Sequence, residues 1–471
     1  MKPLTKIITT ISDQKCDPDF IRSLYDAGMT AVRLNTAHQT IEGSLKVIES
    51  VRQVSDRIPI ILDTKGPEIR TAKNAAEIPV KKSQKIIVKG ASDKLSTPEC
   101  IYVNYSHFAQ NLSPGDRILI DDGELELAVQ EKDGDALICI AGNDGEIKSR
   151  KSVNVPNVLM NLPALSTQDK EYLQIAIEHK IDFIAHSFVR NIDDVGEILD
   201  FLTGSTCQII AKIENQEGVD NIDSIILKVY GIMVARGDLG IEIAAEKIPA
   251  IQKMIIRKCR EKCTPVITAT QMLHSMIDYP RPTRAEVSDV ANAVHDGTDC
   301  LMLSGETAYG SYPVEAVQTM AKIAKAAEES TMPMININVD PAHESIPTYL
   351  ARTAVLAETE IPLSAIVIDT ATGRTARYIS AFRGNSPIYV ECYSPEVMRQ
   401  LAIVYGATAS HMPVRHTGVE TFITTSLNHL MDDGLLKVDD TVLILAGHFG
   451  PSTGASFIEI ATVQNMINPP D

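Results

Sequence analysis

Lys212 and Glu214 stand two apart in the run Gln208-Ile209-Ile210-Ala211-Lys212-Ile213-Glu214. On an extended backbone that spacing turns both side chains to one face. Asp238 follows a neighbouring apolar run, Gly231 to Val234, through Ala235-Arg236-Gly237. Two converging carboxylates with few competing ligands suit Mg²⁺ or Mn²⁺, which prefer oxygen and retain waters. A lysine beside them suits charge that develops on a phosphoryl group or an enolate. These residue types point to metal-assisted chemistry; a structural Lys–Glu ion pair is the bland alternative.

Other short apolar runs also end in polar residues. Arg33 and Asn35 close one, and Asp63-Thr64-Lys65 closes the next. His186-Ser187, with Arg190 nearby, Thr270-Gln271 and Ser304-Gly305-Glu306-Thr307 close three more. Arg70 and Arg150-Lys151 flank a stretch of different character, so Arg33, Arg70 and Lys151 are expected to converge across a cleft between two domains. Any one of these cations alone is more often a solvated surface charge.

The elements that must position these residues follow an alternating pattern. Strands are expected at Lys6–Ile11, Ala31–Asn35 and Ile58–Asp63, with helices from about Asp17 to Gly28 and over Ile41–Val54. Five more strands are expected at Asp182–Ala185, Gln208–Ala211, Gly231–Val234, Pro265–Thr268 and Cys300–Leu303, and a helix over Pro313–Glu328. Ser166 with Asp169 three residues on reads as a capping box opening a helix. Eight β/α units give a (β/α)₈ TIM barrel, whose working groups belong at the C-terminal strand ends. A doubly wound open sheet is the alternative, but it wants a glycine-rich fingerprint after the first strand, and Thr10-Ile11-Ser12-Asp13 is not one.

Between Gly66 and Leu162 the text is hairpin-rich, with turn signals at Ser113-Pro114-Gly115-Asp116, Asp133-Gly134-Asp135 and Asn143-Asp144-Gly145. A break over Met332–Pro347 precedes a helix (Tyr349–Glu358) and a second β/α series with strands Ala365–Asp369, Ile388–Glu391 and Val442–Ala446. The expected domains are 1–65 with 163–335 as the barrel, 66–162 as an inserted β-barrel-like domain, and 336–471 as a C-terminal α/β domain.

The chain has 471 residues, 44% hydrophobic and 22% charged, with a net charge of −17. That balance argues against a nucleic-acid partner. It leaves room for anionic substrates in a local cationic pocket. The start shows no signal peptide and no stretch reaches the roughly 18 apolar residues of a membrane span, so no membrane partner and a cytoplasmic location are expected. The eight scattered cysteines read as buried free thiols.

The sequence resembles the pyruvate kinase family over nearly its whole length. The runs Ile232 to Gly240, Thr268 to Leu273, Pro280 to Glu286, Met302 to Ala308 and Asp63 to Arg70 carry the likeness. The resemblance implies phosphoryl transfer from phosphoenolpyruvate to ADP, giving pyruvate and ATP, as in the last step of glycolysis. It assigns Lys212, Arg33 and Thr270 as catalytic and Glu214 and Asp238 as ligands of Mg²⁺ (or Mn²⁺). It places Arg33, the Gly237 backbone, Asp238 and Thr270 on the substrate, and Arg70, Lys151 and His38 on the nucleotide. Thr270, or a relay near Ser304 and Glu306, would protonate the enolate, and the inserted domain would act as a lid. A homotetramer is also implied.

Asn35, Asp63 and Thr64 match the family's K⁺ site, but Ala37 replaces a serine ligand there; a water or the Thr36 hydroxyl would substitute. Glu68 stands where K⁺-independent members carry lysine, so K⁺ activation through a weakened site is expected. Ser12-Asp13 departs from the pattern near the adenine contacts, and Ser152 replaces a glycine, which would stiffen the hinge. In the C-terminal domain Thr370, Thr372, Gly373, Arg374 and Thr375 form a strand-to-helix turn that would bind a sugar-phosphate or nucleotide effector; ordinary helix capping is the alternative. The segment Gly447 to Pro451 lacks the cation of the family's later effector loop, which favours a monophosphate. Two other functions stay open at this level: a metal-dependent aldolase or lyase on the same barrel, and a non-catalytic effector-binding relative.

Overall fold

The structure is a computed structural model that describes residues 3–158, 160, 162–339, 345–413, 418–447 and 455–468. Eight parallel strands close into a barrel. They span Lys6–Thr10, Ala31–Asn35, Ile60–Asp63, Phe183–His186, Gln208–Ile213, Gly231–Ala235, Val266–Ala269 and Cys300–Leu303. The molecule is therefore a (β/α)₈ TIM barrel with two further units. Three strands start one or two residues later than the sequence pattern implies, and two of those starts follow a proline. Pro59 and Pro265 have no N–H to give a ladder. The next amides, of Ile60 and Val266, donate to the side chains of Asp182 and Asp299.

Local signals set the helices. Asp17 Oδ1 accepts from Phe20 N and opens the helix Pro18–Ala27, which buries Phe20, Ile21 and Leu24. Thr40 caps Ile41–Val54 in the same way. Ser166 and Asp169 form a full capping box at the start of Thr167–Glu178. These helices pack their apolar stripes on the outer faces of the strands, in a core running from Ile7 and Leu34 to Leu301 and Met320.

Between the third and fourth barrel strands the chain builds its own β core around Ile86, Phe108, Leu127 and Leu137. A six-stranded sheet has at its edges the strands Val153–Asn154 and Cys100–Val103. The segment Ile69–Ala72 bridges those edges: Val153 N donates to Ile69 O, and Ala72 N donates to Tyr102 O. That closure gives the unit its barrel-like form.

The C-terminal sheet holds five strands where the sequence pattern shows three. The additional ones are Ala407–His411 and the antiparallel edge Phe457–Thr462. The helix before this sheet runs Ile346–Ala357, starting three residues earlier than Tyr349. Ser345 caps it, and Pro347 sits in its first turn, where a missing N–H costs nothing. All eight cysteines are free, seven of them buried and Cys100 half-buried. Among the described residues no helix is long and apolar enough to cross a membrane.

Candidate active site

Strand register brings Asn35 beside Asp63 and Asp63 beside Ala185, so the second, third and fourth strand ends meet at one level. Asp63, 1% exposed, is the hub. Its Oδ2 accepts from Arg33 Nε at 2.6 Å, and its Oδ1 accepts from Lys212 Nζ at 3.0 Å. Burial pushes the Asp63 carboxyl up, but Arg33 and Lys212 outweigh burial and hold it below the usual carboxylate range. Arg33 also donates to Thr10 Oγ1. Lys212 donates a second bond, 2.7 Å, to Ser187 Oγ. Burial pulls the Lys212 ammonium down, and the charges of Asp63 and Glu214 more than reverse that, so it stays protonated.

Glu214 Oε2 accepts from Phe188 N at 2.7 Å. Its Oε1 lies 3.0 Å from Lys212 Nζ yet takes no hydrogen bond, although the atom is buried. Burial raises this carboxyl to about 8, against the lowering pull of Lys212, and the charge of Asp238 adds to the rise. Asp238 projects from the first turn of the short helix Arg236–Glu242. The fifth and sixth strand ends thus supply two carboxylates, one with a bare buried oxygen, which fits a divalent cation that takes its other ligands from substrate and water. Among the described residues no group of three or more His, Cys, Asp or Glu is arranged to hold a metal.

Thr270 has φ +66° and Gln271 φ +53°. For a β-branched residue that is a strained conformation, of the kind found where function requires it. Arg236 pins the turn by donating to Ala269 O and Thr270 O, and Asp289 holds the guanidinium at 2.8 Å. Gly237 N donates to Thr270 Oγ1 at 2.8 Å, so this amide is taken unless a ligand displaces the hydroxyl. Ser304 Oγ is buried and unpartnered. Both Glu306 oxygens accept backbone amides, from Leu273 and Ser304, so Glu306 ties two loops together and Ser304 holds the spare hydroxyl.

Arg70 and Lys151 of the inserted unit each have a carboxylate partner. Arg70 pairs with Glu68 at 2.7 Å, and Lys151 pairs with Asp121 at 2.9 Å. Backbone bonds between Thr71 and Lys151 set the two cationic segments side by side. His38 is exposed on the turn after the second strand. Asn35 Oδ1 accepts from Ala37 N, Thr64 Oγ1 from Ser187 N, and the Thr36 hydroxyl donates to Asp63 O. These oxygens share one corner of the barrel mouth with Asp63, which fits a monovalent cation. Ser12 Oγ donates to Ala308 O, and Ser152 Oγ to Asp122 Oδ1 inside the inserted unit.

In the C-terminal unit Thr370 Oγ1 accepts from Gly373 N at 2.9 Å and Thr372 N at 3.4 Å. Gly373, with φ +74°, then opens the helix Arg374–Ala381. Thr372 and Arg374 are exposed and Thr375 is half-buried. His448 to Pro451 lie outside the described residues. The sequence pattern flags Ser187 as a strand end but gives it no partner, and it passes over Asp289; each acts through a contact that only register and helix packing create.

The chain matches two family models: pyruvate kinase, barrel domain, over residues 2–317, and pyruvate kinase, alpha/beta domain, over 349–461. It is 44% identical over 470 residues to a pyruvate kinase of Borreliella burgdorferi, covering 98% of each chain. It is 41% identical over 481 residues to one from Geobacillus stearothermophilus, covering 99% of this chain and 81% of that one. A crystal structure of a pyruvate kinase from Cryptosporidium parvum superposes with a TM-score of 0.93 at 35% identity, over 98% of this chain and 96% of the other.

Proposed function

The chain belongs to the pyruvate kinase family, and from that premise we propose how its barrel mouth moves a phosphoryl group from phosphoenolpyruvate to ADP. The observation that carries the reading is the pairing at Lys212. An ammonium has three N–H donors. Two are spent on Asp63 and Ser187. The third makes no hydrogen bond, although Glu214 Oε1 stands 3.0 Å away; with that carboxylate on a metal ion it would face the equatorial oxygens of a phosphoryl group in flight, where fixed positive charge counts most.

Arg33, fixed by Asp63, neutralises the phosphate of phosphoenolpyruvate. Glu214 and Asp238 are the residues that would hold Mg²⁺ or Mn²⁺; bound there, the ion supplies the charge that orients the enolpyruvate oxygens. The Gly237 amide and Thr270 receive the carboxylate end. Thr270 stands closest in role to the enolate carbon, and Ser304 offers the spare hydroxyl for a water relay. Arg70 and Lys151, with His38 at the rim, take the ADP phosphates. The inserted unit, residues 66–162, closes as a lid that excludes water. Residues 1–65 and 163–335 form the catalytic domain.

Asn35, Asp63 and Thr64, with the Thr36 hydroxyl beside them, are the residues that would hold potassium. Residues 336–471 form a regulatory domain, in which Thr370, Thr372, Gly373, Arg374 and Thr375 bind a phosphorylated effector. A homotetramer agrees with the apolar side chains left exposed at Tyr279 and Tyr309, in turns just past two short helical segments, and at Ile346 and Tyr349 on the helix Ile346–Ala357. Formation of ATP from phosphoenolpyruvate and ADP tests the reaction. Near-normal turnover in Lys212→Met would exclude the role given to Lys212.

A further inference from the structure

The capping box at Ser166 has a second set of partners that capping does not require. Asp169 is 0% exposed. Its Oδ2 accepts from Ser166 N at 3.0 Å and Ser166 Oγ at 2.6 Å, which completes the cap. Its Oδ1 accepts from Lys65 N at 2.9 Å and Gly66 N at 3.4 Å. Lys65–Gly66 is where the chain leaves the barrel for the lid, and Ser166 is where the returning chain re-enters. One buried carboxylate therefore holds both crossings.

The outgoing crossing also presses on the catalytic centre. Gly66 has φ +73°, and a Cβ there would stand 2.9 Å from Ser187 Cβ. Ser187 Oγ donates to Thr64 O at 2.6 Å and accepts from Lys212 Nζ. On the return side Arg190, held by Asp194, donates to Leu162 O at 2.8 Å. The inserted unit thus joins the barrel at a clasp built from barrel side chains. A shift of the crossing would move the unit that carries Arg70 and Lys151 relative to the barrel.

We propose that Asp169 is a positioning residue for phosphoryl transfer: by clasping Lys65–Gly66 and Ser166 together it sets the stance of Arg70 and Lys151 over the barrel mouth. This rests on the function proposed above. The variants separate clasping from capping. Asp169→Asn retains one acceptor and loses the other. Asp169→Glu keeps the side-chain type usual at this position of a capping box but moves the carboxylate. Ser166→Ala weakens the cap and leaves Oδ1 on the hinge.

Three readouts decide it, all on the full chain: KM for ADP, deuterium uptake from solvent into the pyruvate methyl group with Mg²⁺ (a barrel-only reaction), and amide exchange at Lys65 and Gly66. Asp169→Asn and Asp169→Glu are expected to raise KM for ADP at least fivefold, to leave methyl exchange within twofold, and to speed amide exchange. Ser166→Ala is expected to move none of the three. An unchanged KM for ADP, or methyl exchange that falls in step with ATP formation, overturns the proposal. So does fast exchange at Lys65 and Gly66 in the wild-type chain, a measurement that stands if the variants do not fold. A wild-type chain that forms no ATP would instead sink the assigned reaction, while accelerated amide exchange in Asp169→Asn would still support the clasp.

Discussion

At the barrel mouth Lys212 and Arg33 share one fully buried carboxylate, Asp63, whereas on the lid Arg70 and Lys151 each hold a carboxylate of their own at the water's edge. The side chains of Lys212 and Arg33 are about 10% exposed, and those of Arg70 and Lys151 34% and 38%. Breaking a buried pair costs about 3–5 kcal/mol, because it strands a charge away from water. An exposed pair is worth about 0–1 kcal/mol. The barrel cations are therefore fixed before substrate arrives. On the proposed function, the lid cations would trade Glu68 and Asp121 for nucleotide phosphates at little cost.

The sharpest way to break this comparison is Lys212→Met. It removes the ammonium proposed to face the phosphoryl group, so kcat for ATP formation should fall about 10³-fold, the scale seen when one preorganised charge donor is removed. A drop no larger than that of a lid variant would erase the distinction between the regions. Asp63→Asn comes next. It leaves Arg33 and Lys212 without their shared counter-charge and should cost about 3–5 kcal/mol of stability in chemical denaturation. The sign with pH follows from the depressed Asp63 pKa. Its contribution is full above the ordinary carboxylate value of about 4 and is lost as pH falls through the lower folded value. Over that acid window the wild type should lose more stability than Asp63→Asn does.

Register explains why so much of this was legible in sequence and why some was not. Polar residues after apolar runs name the strand ends, and a barrel gathers strand ends, so Lys212, Glu214, Asp238, Arg33 and Thr270 were visible as a set. Asp63 was visible only as a strand end and K⁺ candidate. Its place between Arg33 and Lys212 depends on the pairing of Asn35 with Asp63 and of Asp63 with Ala185. Arg70 and Lys151 hold Glu68 and Asp121 of their own unit, pairings that the sequence pattern does not name. Ala407–His411 was missed because its sequence, Ala-Thr-Ala-Ser-His, lacks the large β-branched and aromatic residues of a strand. Phe457–Thr462 is a half-buried edge with no clean alternation of burial.

Glu214 offers a pH test of the barrel. Its metal-free carboxyl is raised to about 8, so below that pH a proton competes with the divalent cation. The Mg²⁺ concentration giving half-maximal ATP formation should fall as pH rises from 6 to 8 and then level off. A flat response would mean that Glu214 is already ionised through Lys212. The lid should behave in the opposite way. Arg70→Gln or Lys151→Gln should raise KM for ADP about tenfold, with the effect shrinking at high salt, since exposed charges are screened. Methyl exchange on pyruvate should not change. If it fell with KM for ADP, lid and barrel would be one electrostatic unit and the comparison would fail.

The smallest expected effect lies where the two regimes meet, at the corner that would hold potassium. Ala37 is half-buried and contributes only its amide, to Asn35 Oδ1 at 3.2 Å. The neighbouring Thr36 hydroxyl is turned inward onto Asp63 O. A serine at position 37 adds a side-chain oxygen next to this cluster and keeps the backbone amide that bonds Asn35. Ala37→Ser should therefore lower the K⁺ concentration for half-maximal activity a few-fold and leave kcat at saturating K⁺ within about twofold, because an added ligand strengthens binding of the cation rather than the chemistry it supports. In a tetraalkylammonium salt both proteins should be slow. Full wild-type activity in that salt would show that the corner works without a small cation, and that Asp63 alone, with its two buried partners, supplies the order assigned to potassium.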